Sequence, residues 1–195
     1  MATLNATNLK HASSSSNNIV LGSDGSTTIS NLSGGGKILQ VVQSVKKDAT
    51  SAVSVARDTN WTGHGLSVSI TPSSASSKIY ITGQIMVSNV NSGNSCVNLV
   101  LYKAGSALTD AIGDAGSRQK RVTTAAEVDE DYGLTPIVFQ YLDTAGTTSS
   151  ITYQPALNNH HSTGHTMYVN RSYDDTTDES YIRAISVMTA MEISA

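Results

Sequence analysis

From Lys37 onward, apolar residues fall at alternate positions in short runs separated by clusters of Gly, Ser, Asn, Asp and Pro. That period of two predicts half-buried strands joined by turns. "KILQVVQSV" (37–45) opens the series and "SAVSVA" (51–56) follows. "GLSVSITP" (65–72) sets Leu66, Val68 and Ile70 on one face, and "SSKIYITGQIMVS" (76–88) alternates Ile79, Ile81, Ile85 and Val87 across a glycine. "CVNLVLYKAG" (96–105) opposes Val97, Leu99 and Leu101 to Cys96, Val100 and Tyr102. "KRVTTA", "LTPIVFQYLD" (134–143), "SSITYQPAL" and "HTMYVNRS" continue the pattern. In the last run, "SYIRAISVMTAMEIS" (180–194), Ile182, Ala184, Ser186, Met188 and Ala190 share one side. Tyr181, Arg183, Ile185, Val187, Thr189, Met191 and Ile193 share the other. No helix cap precedes this run and its second side is rich in β-branched residues, so a strand is predicted over a helix. Residues 104–116 and 124–133, both bounded by glycines, have room for a helical turn.

The first 33 residues read differently. Two short apolar runs, 19–21 and 27–29, flank "GSDGS", an Asp-Gly turn signal, after a Ser-rich lead. This predicts an extended N-terminal arm (1–33) carrying a short hairpin. A lone hairpin is marginal in water, so the arm needs another surface, with Ile19, Leu21 and Ile29 as its assembly residues. "SGGGK" (33–37) reads as a flexible joint. About ten short strands then predict an all-β, antiparallel jelly-roll-like β-sandwich over residues 37–195.

Composition sharpens the picture. Charged residues are 14% and aromatics 5%, with Ser, Thr, Asn and Gly filling much of the rest. A net charge of −3 and recurring apolar runs set the chain apart from disordered sequences. There is no basic stripe for nucleic acid; "RQKR" (118–121) is the one dense positive patch and reads as a solvated strand end. No apolar run is long enough for a membrane-spanning helix and the first residues lack a signal peptide's hydrophobic region, so neither membrane insertion nor secretion is expected. The sequons at Asn5, Asn31, Asn60 and Asn170 are then by-products of composition. Cys96, the single cysteine, is expected to be a small buried hydrophobe.

Four landmarks, in order, carry a resemblance: "GGKILQVVQSV", "GLSVSITPSSASSKIYITG", "FQYLDTAGTTSSITYQPAL" and "YVNRS" followed by "RAISVMTAMEI". Together they span residues 35 to 193 and resemble a module of tailed-phage virion proteins, particularly marine ones. The segment "ATNLKHASSSSNNIVLGSDGSTTI" is similar to what precedes that module. The resemblance implies a tail-fibre or fibre-like virion protein with a trimeric jelly-roll end related in shape to tumour-necrosis-factor and C1q domains. This chain lacks a fibre's long shaft, and "NHHSTGH" falls in a variable loop to which no family role transfers. Trimerisation also follows from the residues. An arm that cannot fold alone, and a final strand apolar on much of both faces, with Val187, Met191 and Ile193 as its assembly residues, both call for neighbouring subunits.

Candidate chemistry is sparse. His160, His161 and His165 lie within six residues and are candidate metal ligands, to be gathered across subunits at a threefold axis; a solvated loop is the plainer reading. "EVDED" (127–131) and "DDTTDE" (174–179) offer oxygen ligands of the kind calcium takes, without the spacing of an EF-hand, and read as surface loops. No nucleophile elbow, zinc-protease or phosphate-loop motif occurs, so no catalytic residue and no cofactor is expected. In "DTNWTGHG" (58–65), Trp61 and His64 are candidate contacts for a host glycan or protein, the alternative being that Trp61 caps one end of the core. The expectation is a non-enzymatic, homotrimeric virion protein with other virion proteins as partners. A short tail fibre comes first, a head decoration protein second, and a lectin-like module is the rival from another class.

Overall fold

The structure is a computed structural model, and it describes residues 7–10, 12–13, 15, 19–25, 27–29, 37–90, 95–114, 122–128, 133–159, 165–174, 176–177, 179 and 181–195. The strands among them are β1 (Asn8–Leu9), β2 (Ile19–Leu21), β3 (Thr27–Ile29), β4 (Ile38–Lys46), β5 (Val53–Val55), β6 (Val68–Ile70) and β7 (Lys78–Val90). They continue with β8 (Ser95–Lys103), β9 (Ser106–Ala107), β10 (Thr124–Val128), β11 (Thr135–Thr144), β12 (Ile151–Asn159), β13 (His165–Val169) and β14 (Ser186–Ile193). The chain divides into two compact units, Met1–Gly36 and Lys37–Ala195.

In the first unit, β2 and β3 form the expected hairpin, Ile19 opposite Ile29 and Leu21 opposite Thr27. Gly25 takes φ +84° in its turn, a conformation open to glycine at no steric cost, and donates to Gly22 O at 3.1 Å. An unforeseen third strand, β1, pairs with β2. Strands this short enclose no core, and Leu9, Val20 and Leu21 remain exposed. "SGGGK" lies outside the described residues up to its lysine.

The second unit is an antiparallel sandwich. One sheet runs β4-β14-β7 with β11 on the far side of β7, and β13 and β5 continue beside the distal half of β7. The other runs β10-β8-β12-β6, with β9 folded back on β8. The chain passes between the sheets repeatedly: β4, β7, β11 and β14 belong to the first, β6, β8, β10 and β12 to the second. Two sheets of four such strands make the jelly-roll-like arrangement.

Alternation decides what fills the space between. β7 turns Ile79, Ile81, Ile85 and Val87 inward, and β8 answers with Val97, Leu99 and Leu101. Ile137 and Phe139 of β11, Ile151, Tyr153 and Leu157 of β12, and Met188 and Ala190 of β14 complete the core. Each large aliphatic so buried contributes on the order of 2 kcal/mol. At Gly83 the backbones come too close for a side chain: a Cβ there would sit 2.4 Å from Val187 O and 2.8 Å from Phe139 Cζ. An interior glycine in an alternating strand marks such an approach.

β14 and β13 share one edge of β7, β14 along Lys78–Gln84 and β13 along Val87–Val90. Between them, Met86 would lose its backbone partners. Ser186 Oγ accepts its N–H at 2.9 Å, and Asn170 N donates to its carbonyl at 3.0 Å. Asn170 is buried at φ +65°, donates through Nδ2 to Lys46 O (2.8 Å) and Asp48 O (3.1 Å), and accepts from Ser186 Oγ at 2.6 Å. Across the core, Asp143 of β11 accepts from Tyr153 Oη of β12 at 2.6 Å and pairs with Lys103 of β8 at 2.7 Å, pinning one sheet to the other. Burial, reinforced by the Asp143 carboxylate, pushes the Tyr153 phenol well up.

Two expectations need correction. Residues 124–133 do not begin with a helical turn. Thr124–Val128 pair with β8 as β10, because Ala126 and Val128 reach the core only on an extended backbone. Cys96 is exposed, because inward Val97 turns it to the outer side of β8. Its partial burial and the facing Glu127 push the thiol's pKa up, away from a reactive thiolate. In the other candidate stretch a single 3-10 turn does form, at Thr109–Ala111.

Candidate functional site

The strongest candidate is the outward face of the first sheet. With Met188 and Ala190 pointing in, Val187, Thr189, Met191 and Ile193 point out. Register then arranges their neighbours into rows across β4, β14, β7 and β11. The first row is Val45, Val187, Gln84 and Val138; the second is Gln43, Thr189, Thr82 and Gln140. The third is Val41, Met191, Tyr80 and Leu142; the last is Ile38, Ile193, Lys78 and Thr144. A polar row is thus enclosed by largely apolar ones. Within it Gln43 Nε2 donates to Thr189 Oγ1 at 3.2 Å, and Tyr80 Oη reaches back to Gln140 Oε1 at 2.8 Å. Lys78 is the one charge in the four rows, and it donates to Thr144 Oγ1 at 2.7 Å.

Val41 is 57% exposed and Val138 59%, with Ile38, Leu39, Val45 and Leu142 exposed beside them. Scattered surface hydrophobes need no explanation, whereas a contiguous apolar patch marks a contact surface. Of the expected assembly residues, Val187, Met191 and Ile193 lie half-buried on this face. Ile19 is half-buried and Leu21 exposed in the first unit, while Ile29 is described only in its backbone pairing with Ile19. Sequence reasoning missed Val41, Val45, Val138 and Leu142. The signal was there: "KILQVV" and "PIVFQYL" are apolar on both parities, as the final strand is.

The outward face of the second sheet is built differently. Asn98 of β8 donates to Asn158 of β12 (3.1 Å), Asn158 to Asn60 (2.8 Å), and Asn60 to Tyr102 Oη (2.7 Å). Residues 58–64 form a strap along β12. Asp58 N donates to Asn159 O, Trp61 exchanges backbone hydrogen bonds with Leu157 at 2.7 and 2.9 Å, and Gln154 donates to Thr62 O. Trp61 is half-buried and packs on the core, in edge contact with His64 at 5.5 Å between ring centroids.

His64 cannot be the surface contact that the sequence suggested. It is 1% exposed, its Nε2–H donates to Pro155 O at 2.7 Å, and its Nδ1 accepts from Leu66 N at 3.1 Å. Both nitrogens are spoken for by the neutral ring. Burial above all, with a smaller contribution from Lys46 and against the pull of the Pro155 carbonyl, lowers its pKa to about 4.

The other candidates stay apart. His160 and His161 lie outside the described residues, and His165 opens β13 opposite Val55. Of "EVDED" only Glu127 and Val128 are described, and Asp175 and Asp178 of the second acidic stretch are not. Among the described residues, no three His, Cys, Asp or Glu side chains converge as metal ligands. No described helix is long and apolar enough to cross a membrane. "RQKR" falls outside the described residues. Asn60 is exposed, whereas Asn170 is buried and engaged, which bars a glycan there. Glu192, at the inward end of β14, accepts from Ser73 N (2.7 Å), Ser73 Oγ (2.6 Å) and Gln40 Nε2 (2.6 Å). These bonds, that from the Ser73 hydroxyl first, hold its carboxyl at about 2. It fastens β14 to the turn after β6, a structural task.

No protein-family model matches the chain, and no curated protein matches it. Among solved structures, the C-terminal domain of EclA, described as a sugar-binding protein, aligns over 86% of this chain and 87% of its own at 10% identity and a TM-score of 0.33. Neither residues nor function transfer at that score.

Proposed function

We propose that the protein is a non-enzymatic assembly unit of a tailed-phage particle, a homotrimer held through the outward face of β4, β14, β7 and β11. The observation that carries this reading is the banded apolar face, exposed on strands whose opposite side packs into the core. Hydrophobic burial between copies supplies the association free energy, at about 25 cal/mol for each Å² of apolar surface removed from water. The sequence landmarks support the virion setting. A short tail fibre or fibre-like protein is the first placement, with loops turned to the host. Decoration of the head, tied by the 1–36 unit, is the second. Other virion proteins and a host surface molecule are the proposed partners, and the virion the proposed location.

Light scattering on the purified full chain tests the assembly: a mass of three chains is expected, and a monomer over the whole micromolar range overturns it. Labelled-protein electron microscopy and copy number per particle test the setting. A few dozen copies or fewer place it on the tail, hundreds on the head, and none removes the virion reading. A lectin-like module is the second reading, favoured by the amide and hydroxyl side chains of Asn60, Tyr102 and Gln154 beside half-buried Trp61. Glycan-array binding by a chain that neither self-associates nor enters particles would favour it.

A further inference from the structure

We propose that the polar row Gln43–Thr189–Thr82–Gln140 is a register key, allowing copies of this chain to associate in one alignment and one stoichiometry. The inference rests on reading the face as an interface between copies, and it names what makes that interface specific.

Rows on the face succeed one another about 6.8 Å apart, two residues of strand. Were all four rows apolar, a second copy could slip by one row and lose little, because hydrophobic contact is not directional. The polar row removes that freedom. In a slipped alignment the amide groups of Gln43 and Gln140 not used within the face would meet mostly Val, Met and Leu, and each group so buried without a partner costs its full desolvation. In alignment they meet their own kind.

The bonds already made within the row leave complementary groups at its two ends. Gln43, on β4, spends an Nε2–H on Thr189 and presents its Oε1 acceptor. Gln140, on β11, accepts from Tyr80 at its Oε1 and presents Nε2–H donors. An acceptor at one edge and a donor at the other suit a head-to-tail contact, the kind that closes into a ring.

The occupant is a second copy rather than a foreign partner, for two reasons on this surface. A face whose one charge, Lys78, lies in its last row offers little to a charged partner, and a polar band between apolar bands is its own complement. Its extent is adequate: four outward positions on each of four strands cover roughly 500 Å² of plane. Side-chain relief adds to that, bringing the total towards the roughly 800 Å² one copy gives to a standard interface, here divided between its two neighbours in the ring.

Native mass spectrometry and light scattering of the full chain test the key, comparing wild type with Gln43→Leu/Gln140→Leu. Both positions are exposed, so circular dichroism and melting should show the fold retained. The wild type is expected in one stoichiometry. The variant is expected to associate at equal or lower concentration, but with that single stoichiometry lost to a spread of species. A variant that keeps the single wild-type stoichiometry overturns the key while leaving the interface standing. A wild type that is monomeric throughout overturns the interface and the key together. If the double variant fails to fold, Gln43→Leu alone is read by the same outcomes.

Discussion

The two outward faces of the sandwich solve the same problem in opposite ways. On the second sheet, the 58–64 strap lies along β12 and an Asn98–Asn158–Asn60–Tyr102 chain of amides and hydroxyls spans the face. Val100 and Ala156, although outward-facing, are buried. On the first sheet nothing among the described residues of the 37–195 unit performs that service for Val41, Val138 or Leu142, which stay exposed. A sheet face finished by its own chain needs polar side chains to meet both loop backbone and water. The face proposed to meet copies of the chain is apolar and banded instead. The difference is one of sequence: "SCVNLVLY" interrupts its outward positions with Asn98, whereas "KILQVV" leaves Val41 bare.

The largest effect is expected from Gly83→Ala, which drives a methyl into Val187 O and Phe139 and separates β7 from β14, the centre of the bare sheet. A loss of about 3 kcal/mol or more in chemical denaturation, with self-association lost as well, is the expected result. Next comes acid. His64, the last residue of the strap, has its pKa lowered from 6.5 to about 4, so between those values the unfolded chain binds a proton that the folded chain refuses. Stability is therefore full above pH 6.5 and falls by roughly 3 kcal/mol as pH drops towards 4. His64→Leu, though less stable at neutral pH, should lack that step in a pH series of melting curves.

Below it, Glu192 opens a second window. Its carboxyl is held at about 2 against an ordinary 4.5, so its contribution is present above pH 4.5 and disappears as pH falls towards 2. Glu192→Gln should flatten the melting curve series in that window alone. On the finished face, Asn60→Ala removes the links to Tyr102 and Asn158 and should cost about 1 to 2 kcal/mol without touching self-association. Smallest in stability is Val41→Ser with Val138→Ser on the bare face. The separated chain should change by within about 0.5 kcal/mol, while light scattering shows association abolished.

Much of the fold was legible because alternation is a local signal. β7, β8, β11, β12 and β14 lie where period two placed them, and the Asp-Gly turn marked the β2–β3 hairpin. β1 was not legible, since Asn8 and Leu9 carry no period and pair only because β2 exposes an edge. β10 was misjudged because "TAAEV" mixes helix-favouring Ala and Glu with a pattern that only its neighbour β8 resolves. Cys96 and His64 were misplaced for a common reason. Which parity of a strand or loop faces inward is settled by tertiary partners, here Val97 on one side and the Pro155 carbonyl on the other. The task of Asn170 in "YVNRS" was invisible in sequence: it ties the β13 exit to β4 and to Ser186.

β14 is the last strand of the sandwich in sequence, yet it lies between β4 and β7 in space. As the chain emerges from the ribosome, β4 and β7 have no partner joining them until Ser186–Ile193 arrives. The sheet therefore closes late and through contacts far apart along the chain, a topology that folds slowly. Until then the facing edges of both strands lack backbone partners and stay open to other chains at high local concentration. The strand that would hold copies together is also the one whose arrival ends the chain's own exposure, so folding and oligomerisation meet at a single segment.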